Sequence, residues 1–266
     1  MKRLSSLSTA LIIMTAAILS SCGSVALTGR KQLLLVSDQE VYQAGLTQYN
    51  EYIASSQLSS NSSATAMVKS VGQKLATATE QYLKNNGLES ELSNFAWEFN
   101  LVKDDQVNAF CMPGGKIVVY EGLLTVAQTE DELAVVIGHE IAHAVAKHSN
   151  ERMSQQMMAQ YGSIILSDVL SQKPKAVQSL ATSVFGLGAQ VGFMLPYSRK
   201  HEYEADYMGI VFMEMAGYNS ESAVDFWTKM SAGGGNSSDF LSTHPSDSKR
   251  IAQIKDRIPE AKKYSK

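Results

Sequence analysis

The sequence predicts a mostly helical α+β domain with a small antiparallel sheet beside one buried helix. Long stretches of the chain place apolar residues at helical spacing, most clearly over residues 64–85, where Met67, Val71 and Leu75 form one stripe. Strand-like runs are short and fall between residues 97 and 120. The two patterns together predict the α+β class.

The N-terminal elements follow from local signals. A first helix is predicted over residues 38–53, and a Ser- and Asn-rich loop over 55–63 separates it from the helix at 64–85. Residues 97–102 alternate in polarity and predict a strand. Residues 108–112 and 116–120 flank Pro113-Gly114-Gly115, a turn signal that predicts a β-hairpin.

The C-terminal half is predicted to be helical. Thr129 as N-cap and Glu132 as the third helical residue form a capping box, which opens a helix that runs through the 140s. After it we predict two packed helices within residues 163–195 and single helices at 199–216 and 220–231. A loop at 233–244 and a short basic helix from about residue 246 close the chain.

Composition limits the class of protein. The 266 residues are 44% hydrophobic and carry a net charge of −3, which excludes a disordered chain and disfavours a nucleic-acid partner. The two cysteines, Cys22 and Cys111, exclude a disulfide scaffold and a cysteine-rich metal site. Histidine and carboxylate side chains would have to hold any metal, and Cys111 is expected to be a buried, inert thiol.

The first residues predict an export signal. Residues 1–21 combine a basic start with an apolar run that is too short to span a bilayer. The run ends at Leu19-Ser20-Ser21-Cys22, which resembles a bacterial lipobox, so Cys22 is the predicted lipidation site. The alternative is an ordinary signal peptide with a chance cysteine. Residues 22–36 are predicted to be a tether, and residues 37–266 a single catalytic domain.

His139-Glu140-Ile141-Ala142-His143 is an HExxH motif. His139 and His143 are four residues apart, so both imidazoles project from one face of a helix and can take two corners of a zinc tetrahedron. Glu140 lies about 100° around the helix and can reach a metal-bound water. The surrounding apolar residues predict that this helix is buried, where unpartnered histidines would be costly.

A third protein ligand is predicted further along the chain. His148 lies half a turn off the ligand face if the helix continues, and no glycine breaks it, so His148 is expected to be solvated or to support a ligand without touching the metal. Glu202 is the favoured ligand because Asp206, four residues on, can accept a hydrogen bond from a ligand histidine. Glu204 is the rival, with a solvated surface position as its expected role.

At these motifs the chain resembles family forty-eight of the metallopeptidases, which includes HtpX, the CAAX prenyl proteases and the mitochondrial Oma-type proteases. The likeness covers about residues 27–258. Its motifs are Leu27–Leu33, Asn108–Lys116, His139–His143, Ser198–Asp206 and His244-Pro245 with Arg250. The resemblance implies a gluzincin-like fold, one zinc ion per chain, and His139, His143 and Glu202 as its ligands.

The resemblance leaves several roles open. His244 would either stabilise the oxyanion of the reaction or occupy the open zinc position and keep the enzyme latent. Arg199 would orient substrate or brace its helix. Asn108-Ala109-Phe110 would be an edge strand that pairs with the substrate backbone. No role is assigned to His201.

Two functions are therefore predicted. The first is a zinc endopeptidase, with Glu140 as general base, that hydrolyses misfolded or unassembled cell-envelope proteins in quality control. The second is a non-catalytic periplasmic chaperone lipoprotein on the same fold. An intact Glu140 favours the enzyme, since a binding protein needs no base beside the metal. In a Gram-negative cell, resemblance to lipoprotein sorting signals implies that Gly23 after Cys22 favours the periplasmic face of the outer membrane.

Overall fold

The computed structural model of the chain describes residues 22–158, 175, 198–232, 238–244 and 248–265. The predicted signal peptide at 1–21 lies outside the described residues, as does the predicted helix pair at 163–195 apart from Lys175. The strands are β1 (Cys22–Ser24), β2 (Lys31–Leu33), β3 (Glu98–Val102), β4 (Ala109–Met112) and β5 (Lys116–Tyr120). The helices are α1 (Asp38–Ser55), α2 (Ser62–Asn85), α3 (Glu130–Val145), α4 (148–158), α5 (Arg199–Ala216), α6 (Ser222–Ala232), α7 (Ser238–Thr243) and α8 (Ser248–Ala261).

The central sheet has the strand order β3-β5-β4. The predicted hairpin is confirmed, because β4 and β5 pair antiparallel. The sheet as a whole is mixed, since β3 pairs parallel with β5 instead of extending an antiparallel array. β5 carries Ile117, Val118 and Val119, all fully buried, and therefore occupies the centre, where neighbouring strands cover both of its edges.

The hairpin turn needs both of its glycines. Gly114 and Gly115 have φ values of 87° and 82°, a left-handed conformation that other residues adopt only with strain. A Cβ atom on Gly115 would lie 2.4 Å from the ring of Trp97. The turn chemistry that the sequence predicts at this point is thus the chemistry that the fold requires.

α3 begins as predicted but ends early. Thr129 caps it by accepting a hydrogen bond from the amide of Glu132, at 3.2 Å. The Glu132 carboxylate accepts from the amide of Gln128, at 2.9 Å, so the predicted capping box is only half formed. The helix stops at Val145 because Lys147 has a left-handed φ of 55°.

Ion pairs hold this break without a glycine. The Lys147 ammonium lies 2.6 Å from Asp38 on α1 and 2.8 Å from Glu91. The chain turns at Lys147 and enters α4 at His148. The expected continuous helix through the 140s is therefore wrong, and the break places His148 in a direction that helical geometry does not predict.

α3 and α5 cross at two glycines. A Cβ atom on Gly138 would lie 3.1 Å from the carbonyl oxygen of Gly209, and one on Gly209 would lie 3.0 Å from the amide nitrogen of His139. The two backbones can approach this closely only because neither residue has a side chain. The crossing sets the HExxH motif directly against α5.

The N-terminal residues belong to the folded domain. β1 and β2 pair antiparallel, and Val25 between them is buried. This differs from the tether predicted for residues 22–36, because Val25 and Val36 both reach the core and the turn between the strands carries a salt-bridged arginine, Arg30. Residues 238–243, within the predicted loop at 233–244, form the short helix α7.

The remaining predicted helices agree with the structure within a few residues. α2 packs on the sheet, with Gly72 against the ring of Phe99, α8 packs against α5, and α6 packs against α3 and α8. In the described part of the chain, no helix combines the length and apolar character that a bilayer crossing requires.

Candidate metal centre

Four buried side chains converge where α3 crosses α5. His139 and His143 project from α3, Glu202 from the first turn of α5, and His244 follows α7. The Nε2 atoms of His139 and His143 lie 3.0 Å apart. Nδ1 of His244 lies 3.2 Å from Nε2 of His139 and 3.2 Å from Oε1 of Glu202.

These separations fit a tetrahedral metal ion. Oε2 of Glu202 lies 3.4 Å from Nε2 of His139, and Oε1 lies 3.4 Å from Nε2 of His143. Zinc bonds to nitrogen and oxygen of about 2.0–2.1 Å imply distances of about 3.3 Å between tetrahedral ligand atoms. The atoms contributed by the three predicted ligands and His244 therefore form the corners of one coordination sphere.

The charges of the site also fit a cation. Burial acts to raise the pKa of Glu202, but His244 and Arg250 hold it well below its usual range, so the group is a carboxylate. Its Oε2 atom is buried and, among the described residues, accepts no hydrogen bond. A buried carboxylate oxygen with an unused lone pair beside three imidazoles is the donor set of a divalent metal.

Glu140 lies beside this cluster and is not one of its members. Its side chain is buried on α3, and Oε1 accepts no hydrogen bond within the described residues. Burial raises its pKa, which suits a group that takes up a proton. Nε2 of His244 is 3.4 Å from Oε1 of Glu140, so His244 lies between the base and the ligand set.

Asp206 orients His139, as the i, i+4 spacing predicts. Its Oδ1 lies 3.0 Å from Nδ1 of His139, the nitrogen that faces away from the cluster. Arg250, fully buried, donates to both carboxylate oxygens of Asp206 at 2.6 and 2.8 Å. The guanidinium of Arg250 also stacks 3.5 Å above the ring of Trp227.

One prediction in this region is corrected, and one alternative is decided. Glu204 was expected at the surface but is buried, with Oε2 3.0 Å from Nε2 of His148. For His148 the structure agrees with the second of the two expected positions: it is fully buried, and its Nδ1 lies 2.9 Å from Nδ1 of the predicted ligand His143. The break at Lys147 turns His148 toward the ligand helix, and no spacing rule signals such a break.

The predicted substrate strand lies at the edge of the sheet. β4 pairs only with β5 among the described strands, and Asn108 accepts from the Tyr120 amide on that side. The backbone groups of Ala109 and Cys111 therefore point to the opposite edge. The Cys111 backbone acts to lower the pKa of Glu140, so this edge faces the base. Phe110 is buried against Tyr52.

Other predicted residues are placed as follows. Arg199 is exposed at the first position of α5. His201 is buried and lies 3.1 Å from Glu151. Cys111 is buried, which raises the pKa of its thiol well above the usual value and confirms the expected inert position.

A buried HExxH helix, a glutamate from a second helix and a small edge-exposed sheet are the features of a gluzincin-type metallopeptidase. The chain belongs to peptidase family M48, whose model matches residues 62–258. The resemblance carried by the sequence motifs is thereby confirmed.

Named relatives support this assignment. The chain is 36% identical over 182 residues to the mitochondrial metalloendopeptidase OMA1 of Schizosaccharomyces pombe, which covers 65% of this chain and 50% of that protein. It is 27% identical over 197 residues to the metalloprotease YcaL of Escherichia coli, covering 72% of this chain and 76% of the relative. It is 29% identical over 178 residues to the beta-barrel assembly-enhancing protease of Yersinia pestis, covering 63% of this chain and 36% of the relative. The chain thus spans about half the length of the OMA1 relative.

Proposed function

We propose that this protein is a zinc-dependent endopeptidase that binds one zinc ion per chain through His139, His143 and Glu202. The observation that carries the proposal is the set of ligand-atom distances of 3.0–3.4 Å beside a buried Glu140. Bound zinc would lower the pKa of water to about 7 and polarise a peptide carbonyl.

Glu140 acts as the base of this reaction. Its carboxylate takes a proton from the attacking water and passes it to the leaving amine. The raised pKa of Glu140 supports this role because a proton can be held there between the two steps. Exclusion of water by the surrounding apolar helices strengthens these electrostatic interactions.

His244 has the position of a gate. With Nδ1 3.2 Å from both His139 and Glu202, it takes the fourth corner that a catalytic zinc site keeps open. We therefore favour the latent alternative over the oxyanion role for the described arrangement. Withdrawal of His244 from this corner would open the position for water and substrate.

The substrate lies along β4. The outward edge of β4 at Ala109 and Cys111 offers an extended peptide a pairing edge beside Glu140, and a substrate carbonyl there would replace the Asn108 side chain, which accepts from the Ala109 amide at 2.9 Å. Pairing of this kind recognises the backbone of the substrate more than its side chains, so it favours extended segments of unfolded proteins. Arg199 remains a candidate for orienting substrate, from its exposed position on α5.

We place the protein in the cell envelope, anchored by lipid at Cys22 on the periplasmic face of the outer membrane. The lipobox-like Leu19–Cys22 supports the anchor, and the name of the Yersinia pestis relative supports an envelope role. Misfolded or unassembled envelope proteins are the proposed substrates, in proteolytic quality control. No nucleic acid is proposed as a partner.

Replacement of Glu140 by Gln tests the activity. The variant should bind one zinc ion and lose cleavage of a denatured, fluorescently labelled casein by at least about 100-fold, because the amide cannot accept the proton. Zinc binding and casein cleavage are both measured in a protein that also carries His244→Ala, so that His244 does not block the zinc position.

Glu130→Gln, in the exposed first turn of the same helix, is the matched control and should cleave at the rate of the His244→Ala parent. Cleavage by Glu140→Gln at that same rate would refute the proposed mechanism. A wild-type protein and a His244→Ala parent that both bind zinc and hold unfolded protein without cleaving it would favour the chaperone alternative, whereas cleavage by the wild type alone would give His244 the oxyanion role.

A further inference from the structure

The second nitrogen of His143 contacts another histidine. Nε2 of His143 faces the ligand cluster, and Nδ1 lies 2.9 Å from Nδ1 of His148. Nε2 of His148 in turn lies 3.0 Å from Oε2 of Glu204. All three side chains are buried, so a chain of polar contacts leads from the ligand into the protein.

The N-terminal hairpin holds the far end of this chain. Thr28 Oγ1 donates to Oε1 of Glu204 at 2.5 Å, and Arg30 Nε donates to Oε2 at 2.6 Å. The other two nitrogens of the Arg30 guanidinium donate to the two carboxylate oxygens of Glu151, at 2.9 and 2.7 Å. Both hairpin residues belong to the Leu27–Leu33 motif, to which the proposed reaction assigns no role.

These contacts allow one arrangement of protons. If Nε2 of His143 binds a cation, its Nδ1 carries the hydrogen and donates to Nδ1 of His148. His148 then carries its hydrogen on Nε2 and donates to the Glu204 carboxylate. Thr28 and Arg30 donate to that carboxylate and keep it ionised and fixed in place.

We propose that His148, Glu204, Thr28 and Arg30 are positioning residues that orient the metal ligand His143 through a histidine relay. The inference rests on the proposed metal site. A carboxylate commonly contacts a ligand histidine directly, and here one imidazole is inserted between them. The relay makes the geometry of the ligand depend on a hairpin that begins at the predicted lipid-anchored residue, Cys22.

Metal affinity, not cleavage, tests the relay. In purified protein the zinc dissociation constant is measured by competition with a chromogenic chelator, and the visible spectrum is recorded with Co²⁺ in place of zinc. His148→Phe keeps a ring stacked on His201, whose centroid is 4.4 Å away, and removes both nitrogens. It should weaken zinc binding about 10- to 100-fold and alter the Co²⁺ spectrum.

Two further variants separate positioning from loss of stability. His148→Asn places an amide oxygen near the position that Nδ1 of His148 occupies, where it can accept from Nδ1 of His143. This variant should recover part of the zinc affinity that His148→Phe loses. Glu214→Gln is the control, because it alters another buried carboxylate of α5, the helix that carries Glu204. The Glu214 carboxylate accepts from Ser220 and contacts no predicted metal ligand among the described residues. The substitution should lower the thermal midpoint and leave the zinc dissociation constant unchanged.

Thr28→Val provides a second route if His148→Phe does not fold. It removes one donor to Glu204 with little change in volume and should weaken zinc binding several-fold. Wild-type affinity in both His148→Phe and Thr28→Val overturns the relay, as does an equal loss of affinity in Glu214→Gln. A wild-type protein that binds no zinc would instead overturn the proposed function, and the relay with it.

Discussion

The two predicted ligand histidines of α3 are supported in different ways. His139 contacts Asp206 directly at 3.0 Å, and Arg250 completes a compact cluster at the crossing of α3, α5 and α8. His143 contacts His148 at 2.9 Å and reaches a carboxylate, Glu204, only through that second imidazole.

The orientation of one histidine therefore depends on neighbouring elements, and the orientation of the other depends on a segment that is distant in sequence. The support of His139 comes from elements that pack against the motif helix or its partner α5. The support of His143 ends at Arg30, which is 174 residues from Glu204 in sequence. A disturbance of the N-terminal hairpin is therefore expected to act on one ligand and spare the other.

The largest effect is expected from Arg250→Met. The fully buried guanidinium neutralises Asp206 and lies 3.2 Å from Glu202. Its removal would leave these two buried carboxylates without their cation. Loss of one partner of a buried ion pair costs about 3–5 kcal/mol in the free energy of unfolding. Urea denaturation of the metal-free protein measures it.

Arg257→Met is the control for that loss, because this arginine of the same helix is exposed and should change stability by less than about 1 kcal/mol. Equal effects of the two substitutions would contradict the assignment of Arg250 as the charge partner of the site.

Asp206→Asn should affect zinc affinity more than Glu204→Gln. Asp206 contacts the ligand itself, and its loss of charge should weaken zinc binding about 10- to 100-fold. Glu204 acts through His148, and the Gln oxygen can still accept from it, so a smaller loss is expected. Chelator competition with both variants compares the two supports, and the reverse order would mean that the relayed support dominates.

The smallest effect is a change in acid stability at Glu151. Burial acts to raise its pKa, but hydrogen bonds from His201 and Arg30 lower it to about 2. Because this pKa is depressed, its stabilising contribution is complete above the unfolded value of about 4.3 and is lost as pH falls toward 2.

With allowance for solvent screening, Glu151→Gln should remove about 1–2 kcal/mol at pH 6 and almost nothing near pH 2. Arg30, His201 and Gln155 are the polar groups that contact Glu151 among the described residues. Urea titrations of both proteins across this range measure the difference, and a constant difference at every pH would contradict the depressed pKa.

Most of the fold could be predicted because its signals are local. The turn at Pro113-Gly114-Gly115 and the cap at Thr129 depend on neighbouring residues, and the structure confirms both. The parallel pairing of β3 could not be predicted, because it depends on which strand takes the centre of the sheet. The short helix at Ser238–Thr243 was likewise missed.

The parts of the site in which both residues of a pair lie on one helix could be predicted from the sequence. The four-residue spacings of His139 with His143 and of Glu202 with Asp206 place each pair on one helical face, and the structure brings these four residues together. The burial of Glu204 and the direction of His148 were not predictable. They depend on the left-handed Lys147, which has no glycine signal, and on the salt-bridged Arg30.

The sequence by itself determined the candidates for the chemistry of this protein: which side chains can bind a metal and which can act as a base. Periodicity and spacing suffice for these because they concern residues within one turn of a helix. Only the tertiary structure decided that His244 lies against His139 and that contacts from the hairpin lead to His143. Both contacts join residues about 100 or more positions apart, and they depend on the close packing at Gly138 and Gly209 that sets α3 against α5.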